Sequence, residues 1–458
     1  MMRLASVPAA LLLLIPAAYG AAQQRVCNLN SRPGGVLNTP APNFTTATLP
    51  VITCEGGLTI TANTANYTPG RIDLFGDVNV RDAERTLTAD QAVFFNARRE
   101  LQATGRAVLT EHATGSVIRG GLVNLQEETA QRESRIEAVA TTDDAQAVLI
   151  RDSESRPGQR DTMTIDAQHI IIMGERSFRA VGNAVMRRDS LTARGFTIEY
   201  AQAAGALEVA GAARVMLPRY TLIGDSVSAK TGTDDDIESV LSRHGAQLQS
   251  EEMNVRANAV RIFFVAGGLE RMVAMDWPPV QNVAAGPRPR VEATEFNLES
   301  DSIDVLAPGQ VMTEAVAIGN AYGERITPDS MKALIPETRP EIQALIANDW
   351  MRGDTVRAFF AANPAAAADP NAADRIMERL LASGGPARSM YRMRDAQNPA
   401  LELSINYLVA EAIEVTFENG AATLLRASGD AKGVYLQPEE AARRARVGGD
   451  ANTPVRRP

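Results

Sequence analysis

One short pattern recurs along most of this chain and restricts what it can fold into. Its clearest copy is Leu87-Thr88-Ala89-Asp90-Gln91-Ala92-Val93-Phe94, followed by Leu101-Gln102-Ala103-Thr104-Gly105-Arg106-Ala107-Val108. Each copy alternates apolar residues, places a small residue before an acid or amide, alternates again, turns, and returns through a second alternating run broken by glycine. The acid or amide falls at Asn63, Asp90, Asp166, Asp225, Asn258, Asp301, Asp354 and Glu411, and two weaker copies put Gly120 and Arg194 there. Three residues before it stand Ile60, Leu87, Val117, Met163, Leu191, Leu222, Val255, Leu298, Met351 and Leu408, all apolar. A pattern kept over ten copies reads as a repeat architecture.

The spacing has a geometric consequence. Side chains alternate between strand faces with a period of two, so positions −3 and −1 share one face, and +2 and +4 share one face. The step from −1 to +2 is odd, and a straight strand would send the two apolar sets to opposite sides. A bulge or corner at the acid or amide returns both to one side, and the small residue before it leaves room for the bend. The chain is therefore expected to be all-β, an elongated β-jellyroll of about ten repeated V-shaped strand pairs with apolar inner walls. The inner face is assigned to Ala65, Tyr67, Leu87, Ala92, Phe94, Leu122, Phe196, Ile198, Val260, Ile262, Ile303, Val305, Val356, Ile413 and Val415. The plainer alternative is a set of ordinary half-buried strands in a sandwich.

The chain has 458 residues, 45% hydrophobic, 22% charged and 5% aromatic, with a formal net charge of −9. That length suits two or three domains or one long repeat body. Basic residues gather on no predicted face, which argues against nucleic-acid binding. Met1-Met2-Arg3 precedes an apolar run through Leu11-Leu12-Leu13-Leu14-Ile15, with small residues at Ala18, Gly20 and Ala22. Residues 1–22 read as a cleaved secretory signal, too short and wrongly flanked for a stable span. Cys27 and Cys54 are the two cysteines, and in an oxidising compartment they are expected to pair, clipping a Pro- and Asn-rich leader (23–55) to the first strand.

Residues 56–275 hold the closely spaced repeats, interrupted by a charged insertion over 126–160. Residues 276–436 hold sparser copies with longer loops, including an Ala/Pro-rich stretch at 361–374 and a possible short helix over 328–348. Residues 437–458 form a basic tail. The glycine of each return run, as in Leu74-Phe75-Gly76-Asp77-Val78 and Ala180-Val181-Gly182-Asn183-Ala184, marks a bend that partners the corner.

The residues offer no catalytic constellation. His112, His169 and His244 lack metal-ligand spacing to one another or to cysteine. Gly224-Asp225-Ser226 and Asp166-Ala167-Gln168-His169 imitate the nucleophile and acid–histidine blocks of a lipase class. They stand in reversed order, however, and occupy the repeat position of Ala89-Asp90-Gln91. A glycosidase needs one close carboxylate pair, and these acids recur at every corner instead. No cofactor or metal is expected, and binding is the remaining function.

A trough with apolar walls suits an acyl chain: about twelve carbons leaving water gain on the order of 10 kcal/mol at roughly 0.8 kcal/mol per CH₂. The Leu-x-Ala-Asp-x-Ala-x-Phe run and its glycine-bearing return resemble the OstA-like repeat of the LptA-like periplasmic lipopolysaccharide-transport proteins. The likeness is strong over 56–125, fair over 163–275 and weak but periodic to 435. The resemblance implies a β-jellyroll, or β-taco, in the periplasm that carries lipopolysaccharide by its lipid A chains towards the outer membrane. It also implies inner- and outer-membrane Lpt components as partners, and head-to-tail self-association through edge strands. The chain departs from that family in carrying more repeats than a single jellyroll, and neither a large C-terminal barrel nor a retained anchor is expected from the sequence. A structural or interaction β-solenoid of the cell envelope without bound lipid is the alternative, and a polysaccharide-active enzyme on a β scaffold is a third.

Overall fold

The computed structural model describes residues 25–130, 132–152, 158–174, 176–232, 236–276, 288–326, 347–363, 375–393, 403–418 and 421–436. The predicted signal segment, the basic tail and nearly all of the expected helix over 328–348 lie outside these residues, as does most of the Ala/Pro-rich stretch. The described residues are almost entirely strand; their helical turns are three single 3-10 turns, Asn96–Arg98, Gln202–Ala204 and Pro308–Gln310. Two compact units divide the chain, residues 1–143 and 144–458.

In the first unit two walls face each other. One wall begins with Cys27–Ser31, Pro50–Cys54 and Leu58–Thr61, paired antiparallel in that order. The other begins with Leu37–Ala41, Phe44–Thr48 and Thr64–Thr68. Four long strands then cross both walls: Arg71–Arg81, Arg85–Phe95, Glu100–Glu111 and Val117–Gln126. Their inner residues are the core, with Ile60, Leu74, Leu87, Ala103, Leu109, Ile118 and Val123 all buried. Cys27 and Cys54 face each other across the first pair and are joined by a disulfide. The leader is thus part of the sheet, because backbone pairing rather than apolar content holds its polar strands.

The crossing from wall to wall has one recurring geometry. Phe75 pairs with Gln91 and Val78 with Ala89, so Gly76 and Asp77 together face the single residue Asp90. The same two-against-one step occurs at Gly182-Asn183 against Phe196, Gly211-Ala212 against Asp225, His244-Gly245 against Asn258, and Gly319-Asn320 against Asp354. Both residues of each doublet are left-handed, for example Gly76 at φ 72 and Asp77 at φ 47, Gly182 at φ 84 and Asn183 at φ 49. Most corner side chains lie over the glycine of the return strand, as Asn63 does over Gly76 and Asp301 over Gly319, whereas Gly245 has nothing over it. A Cβ on Gly105 would stand 2.5 Å from Asp90 Oδ2, so glycine is required for space as well as for φ. The corner side chain then grips the next residue: Arg106 donates to Asp90 at 2.6 Å and Asn63 donates to Asp77 at 3.0 Å. The Arg106 guanidinium holds the Asp90 carboxyl below its usual range through that hydrogen bond. The extra residue of the bulge therefore sits in the glycine strand, opposite the acid or amide rather than at it.

The second unit has two walls of its own, crossed by Ser177–Arg188, Leu191–Ala201, Ala206–Met216, Thr221–Thr231, Ile237–Gln249 and Met253–Val265. Later come Glu314–Arg325, Asp349–Ala362, Arg375–Met393 and Ser404–Glu418. The charged stretch over 126–160, expected as an insertion, contains strands Arg135–Val139 and Ala145–Asp152. Their short apolar alternation, Ile136/Ala138 and Ala145/Ala147/Leu149, is buried, with half-buried Arg135, Glu137, Gln146 and Val148 between.

Three corners differ from the sequence reading. Gln168, Phe196 and Gly121 occupy them, not Asp166, Arg194 and Gly120. Gln168 lies over Gly182 and Phe196 over Gly211. The residue before each is small (Ala167, Gly195, Gly120), and the inner pairs become Ile170/Ile172, Ile198/Tyr200 and Val123/Leu125, all buried. Leu122 consequently turns to the outer face, half-buried, and Phe196 points outward at 60% exposure. The corner side chain faces solvent, so geometry there demands a small predecessor, not a polar group; Gly121 itself faces Thr141.

Two outcomes test this geometry. Gly105→Ala should lower unit 1 stability by about 2–4 kcal/mol, combining the left-handed cost with a clash. Gly57→Ala, at φ 81 with open space around it, should cost only about 1 kcal/mol; amide exchange of the first unit in urea reads both. Ile198→Asp should destabilise by more than about 4 kcal/mol through an unpaired buried charge. Phe196→Asp should stay within about 0.5 kcal/mol, and equal losses at the two positions would invalidate the corrected register.

Candidate functional site: the space between the walls

In the first unit the inner walls leave a small space of about 20 Å³. Leu58, Val80, Leu87 and Leu109 border it from one wall, and Phe94, Leu101 and Leu125 from the other. Cross-strand neighbours set these positions: Val80 pairs with Leu87, Leu87 with Leu109, and Phe94 with Leu101. The mouth carries charge, with Asp82 and Arg85 on one rim and Arg99 and Glu127 on the other. Burial pushes the Glu127 carboxyl above its usual range against the pull of Arg25 and Arg99.

The second unit has a larger space, about 130 Å³, bordered by Tyr220, Met253, Leu269, Phe296, Val305, Ala307 and Met312. Arg219, Glu251, Glu252 and Gln310 stand at its rim. Arg219 donates to Glu252 at 3.2 Å and reaches Gln310 on the opposite rim at 3.4 Å. Burial raises the pKa of the Tyr220 hydroxyl, and its ring meets Phe264 edge-on at 6.1 Å.

Further along the second unit the walls meet. Phe296 and Phe360 stack at 5.0 Å, and Tyr391 meets Phe417 at 6.0 Å. The Arg325 guanidinium lies 5.0 Å from the Phe417 ring. Asp349, 2% exposed, accepts from Arg392 at 2.9 Å and lies 3.7 Å from Arg325. Burial drives the Tyr391 hydroxyl well above its usual pKa, with the Asp349 charge adding to it. Rings and charges fill here what apolar space occupies elsewhere.

Of the residues assigned to the inner face from sequence, Ala65, Leu87, Ala92, Phe94, Ile198, Val260, Ile262, Ile303, Val305, Val356, Ile413 and Val415 are buried, and Tyr67 is half-buried. Leu122 and Phe196 are not on it. Leu87, Phe94 and Val305 border open space. The sequence reading missed Val80, Leu101 and Leu109, although a signal exists: each lies four residues from the glycine of its return strand, Gly76 or Gly105. Among the described residues no group of three or more His, Cys, Asp or Glu side chains could hold a metal ion. No described helix is long and apolar enough to cross a membrane.

The chain matches no family model and no curated protein. Among solved structures it is similar to LptH of Pseudomonas aeruginosa, described as the LptA homologous periplasmic component of the conserved lipopolysaccharide transport device. Identity is 15% over 28% of this chain and 82% of that one, with a TM-score of 0.23. A likeness at that level carries no functional argument, so the reading below stands on this chain's own residues.

Proposed function

We propose that this chain binds the acyl part of lipopolysaccharide, or of a similarly acylated lipid, between its walls. It carries that lipid through the periplasm towards the outer membrane without covalent chemistry. The observation that carries the reading is the pair of apolar spaces opening at charged rims, one at Leu87, Phe94 and Leu101 and one at Leu269, Phe296 and Val305. At about 20 and 130 Å³ both are smaller than most ligand sites, which run to roughly 300–1,000 Å³, so a lipid chain enters by parting the walls. An amphipathic lipid fits such a site, with its chain against leucine and phenylalanine and its polar head among the rim charges. Small inner residues such as Ala92, Ala103 and Ala107 keep the walls from filling the trough with their own side chains. The resemblance of the repeats to OstA-like sequences supports the same substrate class and the Lpt components as partners.

End-to-end pairing, with a second copy or another jellyroll, is favoured by the strand Lys432–Leu436, which leaves Val434, Tyr435 and Leu436 more than half exposed. Exposed edge strands otherwise invite aggregation. The envelope solenoid without lipid has one observation in its favour. The aromatic and ionic filling around Phe296, Phe360, Phe417 and Asp349 makes that part of the second unit a closed core.

The test is a photo-reactive phenylalanine at position 94 and, separately, at position 93, irradiated in a host with an outer membrane. An adduct with lipopolysaccharide at 94 alone is the expected result. No adduct at either position would favour the solenoid reading, and equal adducts at both would mean surface contact rather than a carried chain.

A further inference from the structure

The chain crosses the mouth of its own first trough. Cys27 opens the edge strand of one wall and is bonded to Cys54 on the neighbouring strand of that wall. Two residues earlier the backbone has reached the opposite rim. The Arg25 N–H donates to Asn96 Oδ1 at 3.1 Å, and Asn96 Nδ2 donates back to the Arg25 carbonyl at 2.6 Å. The Arg25 guanidinium donates to both Glu127 oxygens, at 3.1 and 2.7 Å. Asn96 and Glu127 belong to the far wall, where their N–H groups bond to the carbonyls of Gly70 and Arg99. Glu127 also borders the apolar space.

The chemistry of this crossing is asymmetric. The disulfide end does not release without reduction. The other end is an ion pair with both side chains 20% exposed, beside an asparagine that is 8% exposed. A well-packed apolar contact would hold a permanent closure at least as firmly as a desolvated ion pair. Separated charges, unlike separated apolar groups, recover hydration, so an ionic closure suits a contact that opens. Burial already works against the charged form of Glu127, which narrows the gap between latched and open states.

We propose that Arg25–Cys27 form a strap over the first trough, anchored on one wall by the disulfide and latched reversibly on the other by Glu127 and Asn96. Its opening admits a ligand to the space bordered by Phe94. That the ligand is an acyl chain rests on the function proposed above; the strap itself does not.

Both cysteines of the chain are consumed in the disulfide, so Phe94→Cys places a single reporter thiol on the space. In the full chain without lipid, the rate of its reaction with N-ethylmaleimide reads strap opening. Adding Glu127→Gln replaces a bidentate charged pair with a weaker neutral bond and should raise that rate about tenfold. Leu74→Cys, buried on the same wall but away from the space, should react at a rate that Glu127→Gln leaves unchanged. An unchanged rate at position 94, or an equal rise at position 74, would overturn the strap. Uptake of dansyl-laurate by Glu127→Gln, with Phe94 in place, should accelerate by a similar factor. Faster labelling at 94 alone, with no dansyl-laurate uptake by either protein, would uphold the strap and overturn the lipid reading.

Discussion

The structure depends on a mismatch of one residue. At most corners a strand spends one residue while its neighbour spends two, both left-handed (opposite Glu411 it spends three, residues 384–386), and the ladder resumes on the far wall with its facing preserved. The doublet is costly: a non-glycine residue such as Arg106 or Ala212 in that conformation loses roughly 1–2 kcal/mol. The offset comes from pairing resumed on both sides and from the corner side chain that settles over the glycine. Asp90 over Gly105, tied to Arg106, combines all three in one place. Remove the mismatch and every residue beyond the corner exchanges its inner face for its outer one.

Because the corner keeps inner residues inside, what lies between the walls is decided by side-chain size and by how closely the walls approach. In the first unit, alanines at 92, 103 and 107 near the corner and leucines towards the mouth leave a space under a charged rim. In the second unit a similar space near Val305 ends against Phe296 and Phe360. Beyond that point an aspartate between two arginines, with Tyr391 and Phe417, occupies the position of apolar rows. The same backbone thus makes a receptacle in one place and a closed core in another.

The mouths are where buried apolar surface gives way to charge. Charged side chains close both spaces: over the first the backbone crosses and Arg25 pairs with Glu127 on the far rim, and over the second Arg219 reaches Gln310 on the opposite rim. The first contact is mostly buried and bidentate, and the second is long and exposed. Coulombic attraction strengthens as water is excluded, so the first is the firmer closure although its carboxylate is the more strongly desolvated.

The sequence by itself determined that strands bend, because the odd step between Ala89 and Ala92 has no straight solution that buries both. It also placed Leu87, Phe94 and Val305 inside, since alternation away from a corner is unambiguous. It misplaced three corners, at 120, 166 and 194, because the acid-or-amide position was taken as the mark when the small predecessor is what the geometry needs. Only the tertiary structure revealed where the extra residue sits. In a return strand the inner residues on either side of the glycine, such as Ala103 and Ala107, keep even spacing, so the run reads as unbroken until its pairing with Asp90 is seen. Tertiary contact alone likewise decided which inner residues border space and brought Arg25 to Glu127. Both depend on how the two walls approach each other, and no local spacing encodes that distance.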